Sequence, residues 1–132
     1  MRSLLGGSRV AIVLMCLASI ACANKLVKIA TIGKEVGKAA VQLQQDEIVD
    51  YRAGRISKAE HEIAQSQFEH LGLSIKAMNA AISVASLSGV KAAIEQAQTA
   101  INGFSTHLRT SGRLQIWITI INGFIATMLA LI

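Results

Sequence analysis

Three histidines and eight carboxylates are the residues of this 132-residue chain with the most versatile chemistry. His61 begins the segment HEIAQ, which starts like the helical zinc-protease motif. Gln65, however, stands where a second histidine would have to bind the metal. His70 follows nine residues after His61, on nearly the opposite side of a helix, and His107 adds no metal-ligand spacing. The spacing therefore predicts no metal site, and we interpret the histidines as surface residues.

The carboxylates do not form a recognisable acid–base pair. Asp46 and Asp50 are four residues apart on one helix face, whereas Glu60 and Glu62 diverge. General acid–base catalysis needs two such groups converging in a cleft, so we interpret them as solvated charge. No glycine-rich phosphate loop or activated serine motif is present in the sequence. The sequence predicts a protein without enzymatic activity, with no catalytic residue, no cofactor and no evident small-molecule substrate.

Both cysteines, Cys16 and Cys22, lie in the first 23 residues. This segment has a basic start through Arg9, an eleven-residue apolar run over 10–20 and the small-x-small sequence Ala-Cys-Ala at 21–23. The run is too short to span a bilayer, which takes about 17–25 residues. The pattern is that of a secretory signal. We therefore predict that residues 1–23 are a signal peptide and that the protein is exported.

Two ways of processing this signal remain open. Cleavage after Ala23 would release a periplasmic protein that starts at Asn24. The sequence Ser-Ile-Ala-Cys at 19–22 also resembles the lipobox of bacterial lipoproteins, which implies acylation of Cys22 and a membrane anchor. Ala21 fits that pattern and Ser19 departs from it. The polar residues that follow favour the lipoprotein.

The charge of the chain argues against nucleic acid as a partner. The formal net charge is +5, but Arg2 and Arg9 belong to the predicted signal, which leaves +3. A charge this small and mixed lacks the basic patch of a nucleic-acid-binding domain.

Residues 24–132 are predicted to form a single helical domain. The chain has no proline, so long helices can run uninterrupted. Asn24 and Gly54 can begin and end a first helix. Ser57 and Glu60 form a capping box that begins the second. The apolar spacing predicts helices over about 25–53, 58–85, 90–109 and 113–131, paired as two antiparallel hairpins in a four-helix bundle.

The last predicted helix is apolar and long enough to cross a membrane. Gln115, Thr119 and Asn122 nevertheless draw a polar stripe along its first half. Export of the body would also place Arg109 and Arg113 on the outer side of a span, against the positive-inside tendency. We therefore favour a bundle helix buried on three sides, and a membrane span is the alternative.

Charged residues separate along the predicted bundle. The lysines, including Lys25 and Lys28, lie at the end of the bundle where the second helix connects to the third. They would contact the membrane surface if Cys22 is lipidated. Arg109 and Arg113 should come level with Asp46 and Glu69 and help dock the second hairpin.

The segment 48–57, IVDYRAGRIS, with an alanine-rich helix on each side, resembles small exported helical proteins and lipoproteins of bacterial and prophage-like origin. The resemblance covers about the first two helices. It implies a helical envelope protein and implies no activity.

Three functions follow as hypotheses. The first is a non-catalytic exported bundle, periplasmic or membrane-anchored, that acts by protein–protein or membrane-surface contacts, with a homo-oligomer as one form. The second is a holin-like or pore-forming membrane protein whose C-terminal helix inserts. The third is a helical carrier of an apolar ligand.

Overall fold

A computed structural model describes the backbone of residues 2–107 and 112–132 and the side chains of residues 23–104 and 112–132. Four helices account for nearly all of these residues: α1 (Arg2–Arg52), α2 (Lys58–Ser83), α3 (Leu87–His107) and α4 (Gly112–Leu131). Strands are absent from the described ranges. The all-helical fold with four helices is confirmed. Because the connections are short, successive helices run antiparallel.

The helix α1 is longer than predicted at its N-terminal end. Asn24, expected to cap a helix beginning near residue 25, instead lies inside a helix that starts at Arg2. Residues 8–32 contain neither glycine nor proline, so nothing interrupts the backbone hydrogen bonds there. At about 1.5 Å per residue α1 is twice as long as α2. Leu26 is the first buried residue among the described side chains, so the bundle begins close to the predicted domain start.

The helices form a four-membered ring in which α1 packs on α2 and α4, and α3 packs on the same two helices. The most extensive contact joins α2 to α3, and the next joins α1 to α4. The large apolar side chains that are fully buried come from all four helices: Ile29, Leu43, Leu71, Ile94, Ile101, Phe104, Leu114, Ile121, Ile125 and Met128. A single apolar core therefore runs along the bundle.

The turn between α1 and α2 has a strongly defined local geometry. Gly54 adopts φ +77°, and hydrogen bonds run from Gly54 N to Tyr51 O and from Arg55 N to Asp50 O, at 3.1 and 2.9 Å. This is a Schellman ending, which requires the left-handed conformation that glycine adopts most readily. Ser57 then caps α2, its hydroxyl accepting a hydrogen bond from the backbone N–H of Glu60 at 3.1 Å.

The turn between α2 and α3 differs from the predicted boundaries of 85 and 90. The helix α2 ends at Ser83, and Ala85 takes the left-handed conformation with φ 53°. The hydroxyl of Ser86 accepts from Gly89 N at 3.1 Å, so α3 begins at Leu87 with Gly89 inside its first turn. A serine cap places the helix start three residues before the apolar pattern becomes regular.

The helix α4 is less buried than predicted. Its buried residues form one stripe spaced by four and three: Leu114, Ile118, Ile121, Ile125 and Met128. Ile116 and Ile120, in contrast, are 59% and 37% exposed. The expectation of burial on three sides is wrong, because among the described residues α4 packs only on α1 and α3. One face of this apolar helix is left open to solvent.

Candidate functional site

Three carboxylates near the end of α1 form the most organised polar region of the described chain. Glu47 is fully buried and Asp50 is 1% exposed, while the Asp46 side chain is 18% exposed. The interpretation of Asp46 and Asp50 as solvated charge is therefore wrong, because Asp50 is buried and the Asp46 side chain is mostly shielded from solvent. Asp46 and Asp50 are four residues apart and share one face of α1, and Glu47, next to Asp46 in the chain, contacts α2. Each carboxylate binds a different neighbouring side chain.

Glu47 links α1 to α2. Its Oε1 lies 2.6 Å from Nδ1 of His61, and its Oε2 accepts a hydrogen bond from Nε2 of Gln65 at 3.3 Å. The His61 ring stacks on Tyr51 with centroids 3.9 Å apart and planes within 5°. His61 was expected at the surface, yet its side chain is only 22% exposed. The two residues that begin and end the zinc-like segment both bind Glu47.

Asp50 closes the turn between the two helices. Nε of Arg55 donates to Oδ1 of Asp50 at 2.9 Å. Oδ2 of Asp50 is buried and accepts no hydrogen bond from the described residues. Burying a carboxylate oxygen in this way opposes folding. The Arg55 contact offsets part of that cost.

Asp46 links α1 to α4. Its Oδ2 accepts a hydrogen bond from Nε1 of Trp117 at 2.8 Å, and a guanidinium nitrogen of Arg113 lies 3.7 Å from its Oδ1. Arg113 thus lies beside Asp46, as the sequence predicts. Arg109 lies outside the described residues, and Glu69 is exposed on α2. The bond from Trp117 was not predicted, although its four-residue spacing from Arg113 places both residues on one face of α4.

The predicted membrane contacts lie on the outer surface of α1. Lys25 and Lys28 are exposed. The backbone of Cys22 is part of α1, and its side chain lies outside the described ones. Lipidation of Cys22 and membrane contact by the two lysines stay predictions. Ser57 and Glu60 lie at the opposite end of the hairpin, where Ser57 supplies the N-cap.

Shallow grooves lie on the described surface of the bundle, one of them between α1 and α2. The groove between α2 and α3 has a volume of about 560 Å³ and is lined by Gln67, His70, Leu73, Gln96 and Thr99, among others. Another groove of about 400 Å³ lies between α1 and α4 and is lined by Glu35, Lys38, Gln42, Trp117, Ile120 and Phe124. The groove between α1 and α4 borders the exposed face of α4 and the Asp46 contacts.

The carboxylates of this region contact three other parts of the bundle. Within the described side chains, no group of three His, Cys, Asp or Glu residues could hold a metal ion. The contacts of Asp46, Glu47 and Asp50 are made with side chains of the bundle itself, and they position α2, the turn and α4 on α1.

The fold defines the class of this protein as an all-helical four-helix bundle. Comparisons with protein-family models, curated proteins and solved structures find no match to the chain.

Proposed function

We propose that the protein is a non-catalytic, exported helical-bundle protein of the cell envelope that acts through surface contacts made by α4. The observation that carries this proposal is the exposed face of α4. No charged residue follows Arg113 in the sequence, yet Ile116 and Ile120 are open to solvent. A helix that faces water on one side ordinarily carries charged residues there. An uncharged, partly apolar face is typical of a surface that contacts a membrane or another protein.

The N-terminal segment supports the same proposal. Acylation of Cys22 would tether the bundle to a membrane a few residues before Leu26, the first buried residue among the described side chains. The exposed Lys25 and Lys28 would then lie next to the lipid headgroups, where each basic residue contributes about 1 kcal/mol on an anionic surface.

Alkaline carbonate extraction, combined with the intact mass of the protein, tests this proposal. We expect the wild-type protein to stay with the membrane, to carry a diacylglycerol and to wash off when Cys22→Ala removes the acyl anchor. An unmodified protein found only in the soluble fraction, for both variants, would refute membrane tethering. The Cys16→Ala variant is the matched control, because it alters the other cysteine of the same segment and should leave extraction unchanged.

A holin-like or pore-forming protein is the second candidate, and a specific property of α4 favours it. The helix has 20 residues, is apolar enough to cross a membrane, and has only 28% of its most apolar window buried. The core helix of a soluble protein would be mostly buried. The same extraction separates the candidates, because an inserted protein stays in the membrane even in the Cys22→Ala variant.

A further inference from the structure

Asp46 joins α4 to α1 through two polar contacts that meet on one carboxylate. Trp117 donates a hydrogen bond to it at 2.8 Å, and Arg113 lies 3.7 Å away. We infer that Asp46 is a latch for α4: its polar contacts add to the apolar packing that docks α4 on the bundle, and their release lets α4 move into an anionic lipid bilayer. This inference rests on the proposed membrane contact of α4.

The surroundings of Asp46 make it difficult for another group to take over its contacts with α4. Hydrogen bonds to a carboxylate are stronger than those between neutral groups, and this carboxylate is mostly shielded from water. The neighbouring carboxylates of Glu47 and Asp50 bind His61 and Arg55 instead. Asp46 is therefore the carboxylate of this cluster that holds α4.

The remainder of α4 is suited to either environment. Its buried stripe consists of apolar side chains, which remain out of water in a bilayer as they do in the bundle. Its exposed residues Ile116 and Ile120 would gain burial in lipid. Detachment would in turn expose the core residues of α1 and α3 that face α4. That cost keeps α4 docked in water, and the Asp46 contacts add to it.

An anionic headgroup is the chemical partner that can compete with the latch. A lipid phosphate offers Arg113 the same bidentate acceptor geometry as a carboxylate. Arg113 is 55% exposed and stands at the start of α4, where it can reach a headgroup while Asp46 is still in place. Exchange of the carboxylate for a phosphate would leave the Trp117 bond as the remaining contact of the latch.

Hydrogen exchange of the purified protein in water tests the latch without a membrane. We expect the α4 amides of Asp46→Ala to exchange about tenfold faster than in the wild type, since a charged hydrogen bond is lost. Glu62→Ala is the control: Glu62 is an exposed carboxylate of α2 that pairs with Lys58 of the same helix at 4.0 Å. Unchanged α4 exchange in Asp46→Ala would overturn the inference.

Two further variants keep the test valid if Asp46→Ala unfolds. Asp46→Asn keeps an acceptor for Trp117 but loses the charge facing Arg113, and Trp117→Phe removes the donor while keeping an aromatic ring. We expect α4 exchange intermediate between wild type and Asp46→Ala in both, with unchanged exchange in α2. Equal acceleration in α2 and α4 would indicate general destabilisation and would overturn a role specific to α4.

Vesicles test the destination of α4. Trp117 is the sole tryptophan, so its emission reports on α4 alone. With vesicles of equal parts phosphatidylcholine and phosphatidylglycerol, we expect the blue shift of Asp46→Ala to occur at about tenfold less lipid than in the wild type. Brominated lipids should quench that emission. Vesicles of pure phosphatidylcholine should need a higher lipid concentration than the mixed vesicles to give the same blue shift.

The outcomes separate the inference from the proposed function. If α4 exchanges faster in Asp46→Ala but Trp117 responds to vesicles in neither protein, membrane contact by α4 is refuted and Asp46 only stabilises the bundle. If Trp117 responds equally in both proteins and α4 exchange is equal, the proposed function stands and the latch is refuted.

Discussion

Both α2 and α4 pack against α1, but they do so through different interactions: polar contacts near the α1–α2 turn and an apolar stripe in α4. At the turn, a buried carboxylate binds His61 and Gln65, and a second one binds Arg55. In α4, every described buried side chain is apolar, and Trp117 makes a polar link to α1 at Asp46. Polar networks require specific geometry, whereas the hydrophobic effect that buries an apolar stripe is non-directional. The difference fits the proposed latch, in which the hairpin keeps one arrangement and α4 changes partners.

The largest expected effect tests whether α4 is held by its apolar stripe. Ile121→Ala should lower the free energy of unfolding by about 3 kcal/mol, because it leaves a cavity at a fully buried position. Ile120→Ala, one residue away and 37% exposed, should cost less than about 1 kcal/mol. Urea denaturation followed by circular dichroism measures both. Equal losses would show that the two faces of α4 are not distinct.

The next effect concerns the polar network of the hairpin. His61→Ala should destabilise the protein by about 2 kcal/mol, since Glu47 would stay buried with Gln65 as its remaining partner. His70→Ala, at an exposed position of the same helix, should change stability by less than about 0.5 kcal/mol. Adding Glu47→Gln to His61→Ala should restore part of the loss, because a neutral amide is less costly to bury. No recovery would argue against a buried charge at Glu47.

A smaller effect distinguishes the two turns. Ala85 holds a left-handed conformation that glycine holds at position 54. Ala85→Gly should therefore raise stability by about 0.5–1 kcal/mol, and Gly54→Ala should lower it by about 1 kcal/mol. Thermal denaturation of the two variants provides the comparison. A loss of stability in Ala85→Gly would mean that the turn gains nothing from relief of its backbone strain.

The smallest effect on stability concerns the exposed face of α4. Ile116→Ser should change the free energy of unfolding by less than about 0.5 kcal/mol, because the side chain is 59% exposed. The same change should reduce the response of Trp117 to anionic vesicles. Thr119→Ser, at another exposed position, is the control. Undiminished vesicle binding in Ile116→Ser would count against this face as the contact surface.

Much of the fold could be predicted because its determinants are local. The absence of proline allows long helices. Gly54 ends α1 and Ser57 caps α2, and these two residues place the first turn correctly. The second turn was misplaced because Ser86 caps α3 ahead of its regular apolar spacing. The Asn24 cap was wrong because no residue near it stops α1.

The sequence by itself determined the helical class, the four helices and the uncharged character of α4, since these depend on residue types and their spacing. Only the tertiary structure decided which charges are buried. Asp46 meets Trp117 across 71 positions of the chain, and the burial of Glu47 depends on α2 packing over it. The open face of α4 likewise follows from how many helices surround it. Burial is a property of neighbours brought together by folding, and local spacing does not specify them.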